Sequence, residues 1–350
     1  MRWDRLAGAV LLAHALGTGP AHAQWVTSDE QAYLQARHNW TFRRAYPGAD
    51  RLFNAFDYGH AILYETLLTR PDAAPSVLEE REFRHLVGKV LRNPPALPLE
   101  EAAIEVEYAR LVPEVKLMFD WAHLLHRQIY DVWADERLDE AAKDAAVAEL
   151  VGYYRSRRDL ALSAIPKSLE LMEGHEYSLA FRERYPRFNG LIWAYHWMQV
   201  GLYDALMVDA DPAGRQRRVA QAVGRFWQMV DAGLEGLPYL MPMTSVVAPR
   251  FAARYPEAAA IFDNLHALHD VVSDILASSR VPAAGKRAEL LRIAARYRDA
   301  AADTVPHAEW RAMAERMGAA NQGGRAVDFD PALPRPTVRR GAPHHEAMGH

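Results

Sequence analysis

The sequence predicts an all-α fold, a multi-helix bundle in one domain, and three observations carry that expectation. Apolar residues recur at helical spacing through nearly all of 24–317. No run of alternating apolar and polar residues reads as a strand. The interruptions are those of helix ends: capping-box sequences, prolines that admit only a first turn or a kink, and Pro/Gly clusters. Half of the residues are hydrophobic and a quarter charged, a balance that supports one large core.

The first residues stand apart. Arg2 and Arg5 precede an apolar run at 6–16, and Ala21, His22 and Ala23 form a small-x-small cleavage pattern. Residues 1–23 are therefore expected to be a secretory signal peptide, with Gln24 as the mature start and a periplasmic or secreted product. The apolar run is too short to span a bilayer, and no cysteine follows it to take a lipid.

Within the expected helical domain, 24–317, the elements follow in order. Ser28 with Gln31, and Ser76 with Glu79, have capping-box spacing and predict helix starts near Glu30 and Val77. Further helices are expected at about 51–69, 100–136, 139–163, 166–184, 189–208, 213–233, 256–279 and 284–317, with Pro113 and Pro166 marking kinks or first turns. The stretch 189–208 has no polar face, yet His196, Gln199 and Asp204 within it favour a buried core helix over a membrane span. From 318 to 350 the chain turns to Gly, Pro, Arg and His without apolar period, which predicts a disordered tail ending in His344, His345, Met348 and His350.

Composition excludes several functions. There is no cysteine, hence no disulfide, thiolate metal site, iron–sulfur cluster or covalently attached haem. The formal net charge of −4 without a basic stripe argues against nucleic acid. No nucleophile elbow, phosphate loop or H-E-x-x-H motif is present, and the His269–Asp270 dipeptide alone does not make a phosphohydrolase.

What remains points to metal. The pattern D-x-x-H-x-x-H occurs twice, at Asp120, His123 and His126 and at Asp263, His266 and His269, where composition alone gives about 0.04 occurrences. Residues three apart share a helix face, so each copy offers two imidazoles while the Asp buttresses the nearer one. A third D-x-x-H is Asp57 with His60, which replaces an apolar residue on the seam of Phe53, Phe56, Leu63 and Leu67, with Glu65 further along. His269 lies on its own apolar seam, whereas His266 falls on a flanking stripe and is expected at the surface or in a supporting place. Glu170 shares a face with Glu173 and Tyr177 and is a further candidate buttress.

These residues define one expectation and two rivals. His60, His196 and His269 converge, with ring nitrogens within about 5 Å and His123 or His126 nearby, on a nitrogen- and oxygen-ligated metal supported by Asp57, Asp120, Asp263, Glu65 and Glu170. Iron is the first metal expected and would suit a redox or oxygen-activating enzyme; zinc would suit hydrolysis. Otherwise the histidines are satisfied core residues of a non-enzymatic binding module or envelope subunit, or two of them hold haem b without covalent attachment.

Overall fold

The computed structural model describes residue 27, residues 29–98 and residues 103–348. The expected signal peptide and Gln24 lie outside the described residues. The fold is all-α: fifteen α-helices form one domain, and a single bridge between Lys167 and Thr304 is the only β pairing among the described residues. None of these helices is long and apolar enough to cross a membrane.

Four long helices form the centre: α1 (Pro47–Thr69), α2 (Pro113–Ala134), α3 (Pro186–Met207) and α4 (Pro256–Ala277). Each begins on a proline, whose missing N–H costs nothing in a first turn. The residue before it cannot stay in the α region against the pyrrolidine ring. Accordingly Tyr46, Val112, Tyr185 and Tyr255 all leave it, with φ of −132°, −146°, −135° and −128°. Each ends a short preceding helix, Thr41–Ala45, Val106–Leu111, Ala180–Arg184 or Pro249–Arg254. This proline step splits the expected helix at 100–136.

The four units are also capped alike. Eighteen residues after each proline stands an acid, Glu65, Asp131, Asp204 or Asp274, and each accepts two backbone N–H bonds at the start of another unit's short helix. Asp131 receives Trp40 and Phe42 at 2.7 and 2.8 Å, and Glu65 receives Glu107 and Tyr108 at 2.9 and 3.1 Å. Asp204 receives Arg250 and Phe251 at 3.1 and 2.8 Å, and Asp274 receives Leu179 and Phe181, both at 2.8 Å. The caps are therefore reciprocal within two pairs, α1 with α2 and α3 with α4. Since an acid near one C-terminus meets the chain entering its partner's N-terminus, both pairs are antiparallel.

The remaining helices wrap this core, and several differ from expectation. The stretch 166–184 is interrupted between Leu169–Glu173 and Ala180–Arg184, and 284–317 between Ala283–Arg298 and His307–Arg316. Thr27 and Glu30 form a capping box, in which Glu30 accepts the Thr27 N–H at 3.1 Å and donates its own N–H to Thr27 Oγ1 at 3.3 Å, while Ser28 of the expected box lies outside the described residues. Glu79, expected to close a box with Ser76, instead accepts the N–H groups of Arg187 and Phe188 at the first turn of α3.

After Gly318 the described chain forms no α-helix, only 3-10 turns at Ala319–Gln322 and His344–Met348. It lies against the bundle nevertheless. Trp197 donates to the Gly324 carbonyl at 2.7 Å, the Ala326 N–H bonds the Val247 carbonyl at 3.0 Å, and His344 is fully buried beside Glu173 and Arg182. These contacts join residues far apart in the sequence, and Ala326 and Val327 are buried among them.

Candidate metal centre

The repeated unit fixes where the histidines fall. Ten and thirteen residues after the four prolines stand Asp57 and His60, His123 and His126, His196 and Gln199, and His266 and His269. All eight are buried, none more than 4% exposed. The antiparallel pairing brings position thirteen of one helix beside position ten of its partner. His60 and His123 have ring centroids 6.2 Å apart, and His269 and His196 5.2 Å.

Three of these rings meet at one point. His196 Nε2 lies 3.1 Å from His60 Nε2 and 3.2 Å from His269 Nδ1, and the three ligand atoms fall within 4.8 Å of one another. The ring centroids are 4.5, 5.2 and 5.2 Å apart. Metal–nitrogen bonds of about 2.0–2.1 Å place neighbouring ligand nitrogens about 3.0–3.4 Å apart, so both short contacts match an edge of a coordination polyhedron.

Proton counting leads to the same point. His60 Nδ1 faces the Phe56 carbonyl at 2.9 Å and must donate to it, so in the neutral ring Nε2 carries a lone pair. His196 Nε2 holds at most one proton, so whichever tautomer His269 takes, only one of its two contacts can be a hydrogen bond. The second contact is left without a good hydrogen bond unless a cation sits between the nitrogens. Burial holds the rings neutral, the form that ligates metal: it pushes His60 down to about 4 and His196 and His269 well below their ordinary value, with the neighbouring histidines adding to it.

His123 stands next to this triad, its ring centroid 5.5 Å from that of His269. Neither of its nitrogens has a partner, and Nδ1 lies 3.8 Å from Asp57 Oδ1, which is also unpaired. Asp57 Oδ2 accepts from Arg127 at 2.5 Å. Asp57 thus faces His123 across the helix pair without hydrogen-bonding it, and makes no hydrogen bond to His60 on its own helix, the partner that spacing suggested. His126 points away from the triad, with Nδ1 at 2.6 Å from the Tyr203 hydroxyl.

His266, expected on a flanking stripe, is fully buried and stacks on His196 at 4.0 Å with 7° between the planes. A helix buried on every side has no flanking stripe, so helical spacing alone cannot rank its positions.

The other expected carboxylates are engaged elsewhere. Asp120 pairs with Lys116 at 2.5 Å. Asp263 accepts from the Thr244 N–H, the Thr244 hydroxyl and Trp310 Nε1 at 2.7–2.9 Å. Glu65 caps Val106–Leu111, Glu170 is exposed, and Asp270 is bound by Arg182 at 2.9 Å. The close donor set is therefore all imidazole. Neither short pair can be the axial pair of a haem, which needs its nitrogens about 4 Å apart across the macrocycle.

Access is narrow. A cavity of about 20 Å³ is lined by His123, Asp57, Asp120 and Arg127 among others, room for one water. Clefts of about 520 and 630 Å³ lie elsewhere, beside Arg184 and Lys286 and beside Arg81 and His85.

No protein-family model, curated protein or solved structure matches the chain, so the centre is defined by its own geometry.

Proposed function

We propose that this chain is an exported metalloprotein in which His60, His196 and His269, with His123 as a fourth ligand, hold a redox-active first-row metal ion, iron or copper, for electron transfer or reaction with dioxygen. The observation that carries the reading is the position of His196 Nε2, 3.1 and 3.2 Å from two further imidazole nitrogens in the middle of the bundle. Neutral imidazoles suit copper and zinc as well as iron, and the engaged carboxylates remove the particular reason for preferring iron.

Burial supports redox over hydrolysis. A hydrolytic zinc needs an open position and a path for substrate, whereas this triad is at most 3% exposed and the cavity beside His123 holds only about 20 Å³. Electrons, protons and a diatomic gas fit such a centre. Phe119, Tyr64 and Trp193 pack against the ligand rings and keep bulk water away. Asp57 would orient His123 and hold its Nδ1 proton, the usual part of a carboxylate beside a metal-bound imidazole.

Export rests on Arg2, Arg5, the apolar run at 6–16 and the Ala21 and Ala23 cleavage pattern. The test is to purify the protein from its native host, sequence its N-terminus, measure bound metals and record the electron paramagnetic resonance spectrum and oxygen uptake with a reductant. A start at Gln24 and one iron or copper per triad with nitrogen ligation are expected. Stoichiometric zinc would overturn the redox assignment, and a protein that takes up no metal would return the histidines to the core.

A further inference from the structure

The triad uses only part of the buried donor set. The four helices contribute eight residues at positions ten and thirteen, and the antiparallel pairing places His60, His123, His196 and His269 together. The same pairing leaves Asp57, His126, Gln199 and His266 as the complementary set. Arg127 already holds Asp57.

We infer that His126, His266 and Gln199 form a second metal site beside the first, so that the centre is dinuclear; this rests on reading the triad as a metal site. Five side-chain atoms carry the inference. His126 Nε2, both nitrogens of His266, and both amide atoms of Gln199 have no hydrogen-bond partner, and all three residues are fully buried. Buried polar atoms without partners are uncommon, and five on residues at equivalent positions of a repeated unit mark a place built for something polar.

The tautomers agree with a cation. His126 Nδ1 lies 2.6 Å from the Tyr203 hydroxyl, and when that hydroxyl accepts, Nε2 keeps its lone pair, as His60 Nε2 does with Nδ1 donating to the Phe56 carbonyl. A metal-bound histidine commonly has its outer nitrogen anchored in this way. Gln199 occupies the position that is histidine in the other three units, and its amide oxygen is a metal donor of the same reach.

His266 joins the two levels. Its ring stacks on His196 at 4.0 Å on one side and lies 5.9 Å from His126 at 15° on the other. That second separation exceeds the 4.5–5.2 Å of the triad, so the first site is the more nearly preformed.

The test is titration of metal-free, full-length protein with Co(II), followed by visible absorption and by elemental analysis after desalting. Two equivalents are expected for the native chain. One is expected for His126→Phe with His266→Phe, where the rings keep the packing and lose the donors. Gln199→Leu should weaken the second equivalent about ten-fold and leave the first unchanged, which provides a test should the double variant fail to fold. A single equivalent in the native chain overturns the second site and leaves the first standing. Two tight equivalents in the double variant, or an unchanged second affinity with Gln199→Leu, also overturn it. No binding at all overturns both sites.

Discussion

Gly59 of α1 lies directly beneath the ring of Tyr195 on α3: a β-carbon at Gly59 would come 2.6 Å from Tyr195 Cε2. The ring cannot yield easily, because it stacks on Phe56 with centroids 4.4 Å apart. Gly59 and Tyr195 are the chain neighbours of His60 and His196, so this approach sets the spacing of two ligands. Gly59→Ala is expected to destabilise the protein by about 1–3 kcal/mol and to weaken metal binding. Denaturant unfolding and metal titration of the same variant check both; unchanged metal affinity would show that the helix spacing is not set here.

The triad itself should respond to metal in its stability. An ion that binds only the folded chain, at a thousand times its dissociation constant, stabilises it by about 4 kcal/mol. The melting temperature is therefore expected to rise with Zn(II) and fall with a chelator. His60→Ala and His269→Ala should each lose most of that response while remaining helical by circular dichroism.

The helix caps should differ in weight. Asp274 is buried and holds two N–H groups, one of them on Leu179, which has φ of 69°. Glu65 makes the equivalent pair of bonds while half-exposed. Asp274→Ala is expected to cost about 2–4 kcal/mol, since it strands two buried donors, and Glu65→Ala about 1 kcal/mol. Equal losses in denaturant unfolding would show that exposure does not govern these caps.

A pH dependence should appear where the final segment is fastened. Glu173 is buried, which by itself raises its pKa, but His344 and Arg182 outweigh burial and hold the carboxyl well below its usual range. Its contribution is therefore complete above the unfolded carboxyl value, about 4.3, and fades as pH falls below it. Glu173→Gln is expected to cost about 3–5 kcal/mol at neutral pH, because it leaves buried Arg182 short of a partner, and progressively less as pH falls below the unfolded carboxyl value, the difference vanishing only below the lowered folded value. Limited proteolysis after Gly318 should follow the same trend.

Much of this was legible in the sequence. Apolar seams correctly turned His60 and His269 inward, and the uniformly apolar stretch around His196 marked the most buried helix. The caps at Asp131 and Asp274 join residues about ninety positions apart, and spacing within one helix says nothing of them. For the same reason Asp263 looked like a buttress for its own helix and instead serves Trp310, while Asp120 is taken by Lys116 one turn before it on the same helix. A visible clue was the recurrence of proline followed eighteen residues later by an acid, which also brings His266 and Gln199 into the set.

The reciprocal caps make each helix pair self-sufficient, since the ends of α1 and α2 are fastened to one another, as are those of α3 and α4. The candidate ligands divide along the same line: His60 and His123 belong to the first pair, His196 and His269 to the second. This is the arrangement of a dimer written into one chain, with half a coordination sphere on each side. A bound ion then acts as a rivet between two halves that are each already closed, and its removal would loosen the seam between them before it unravels either one.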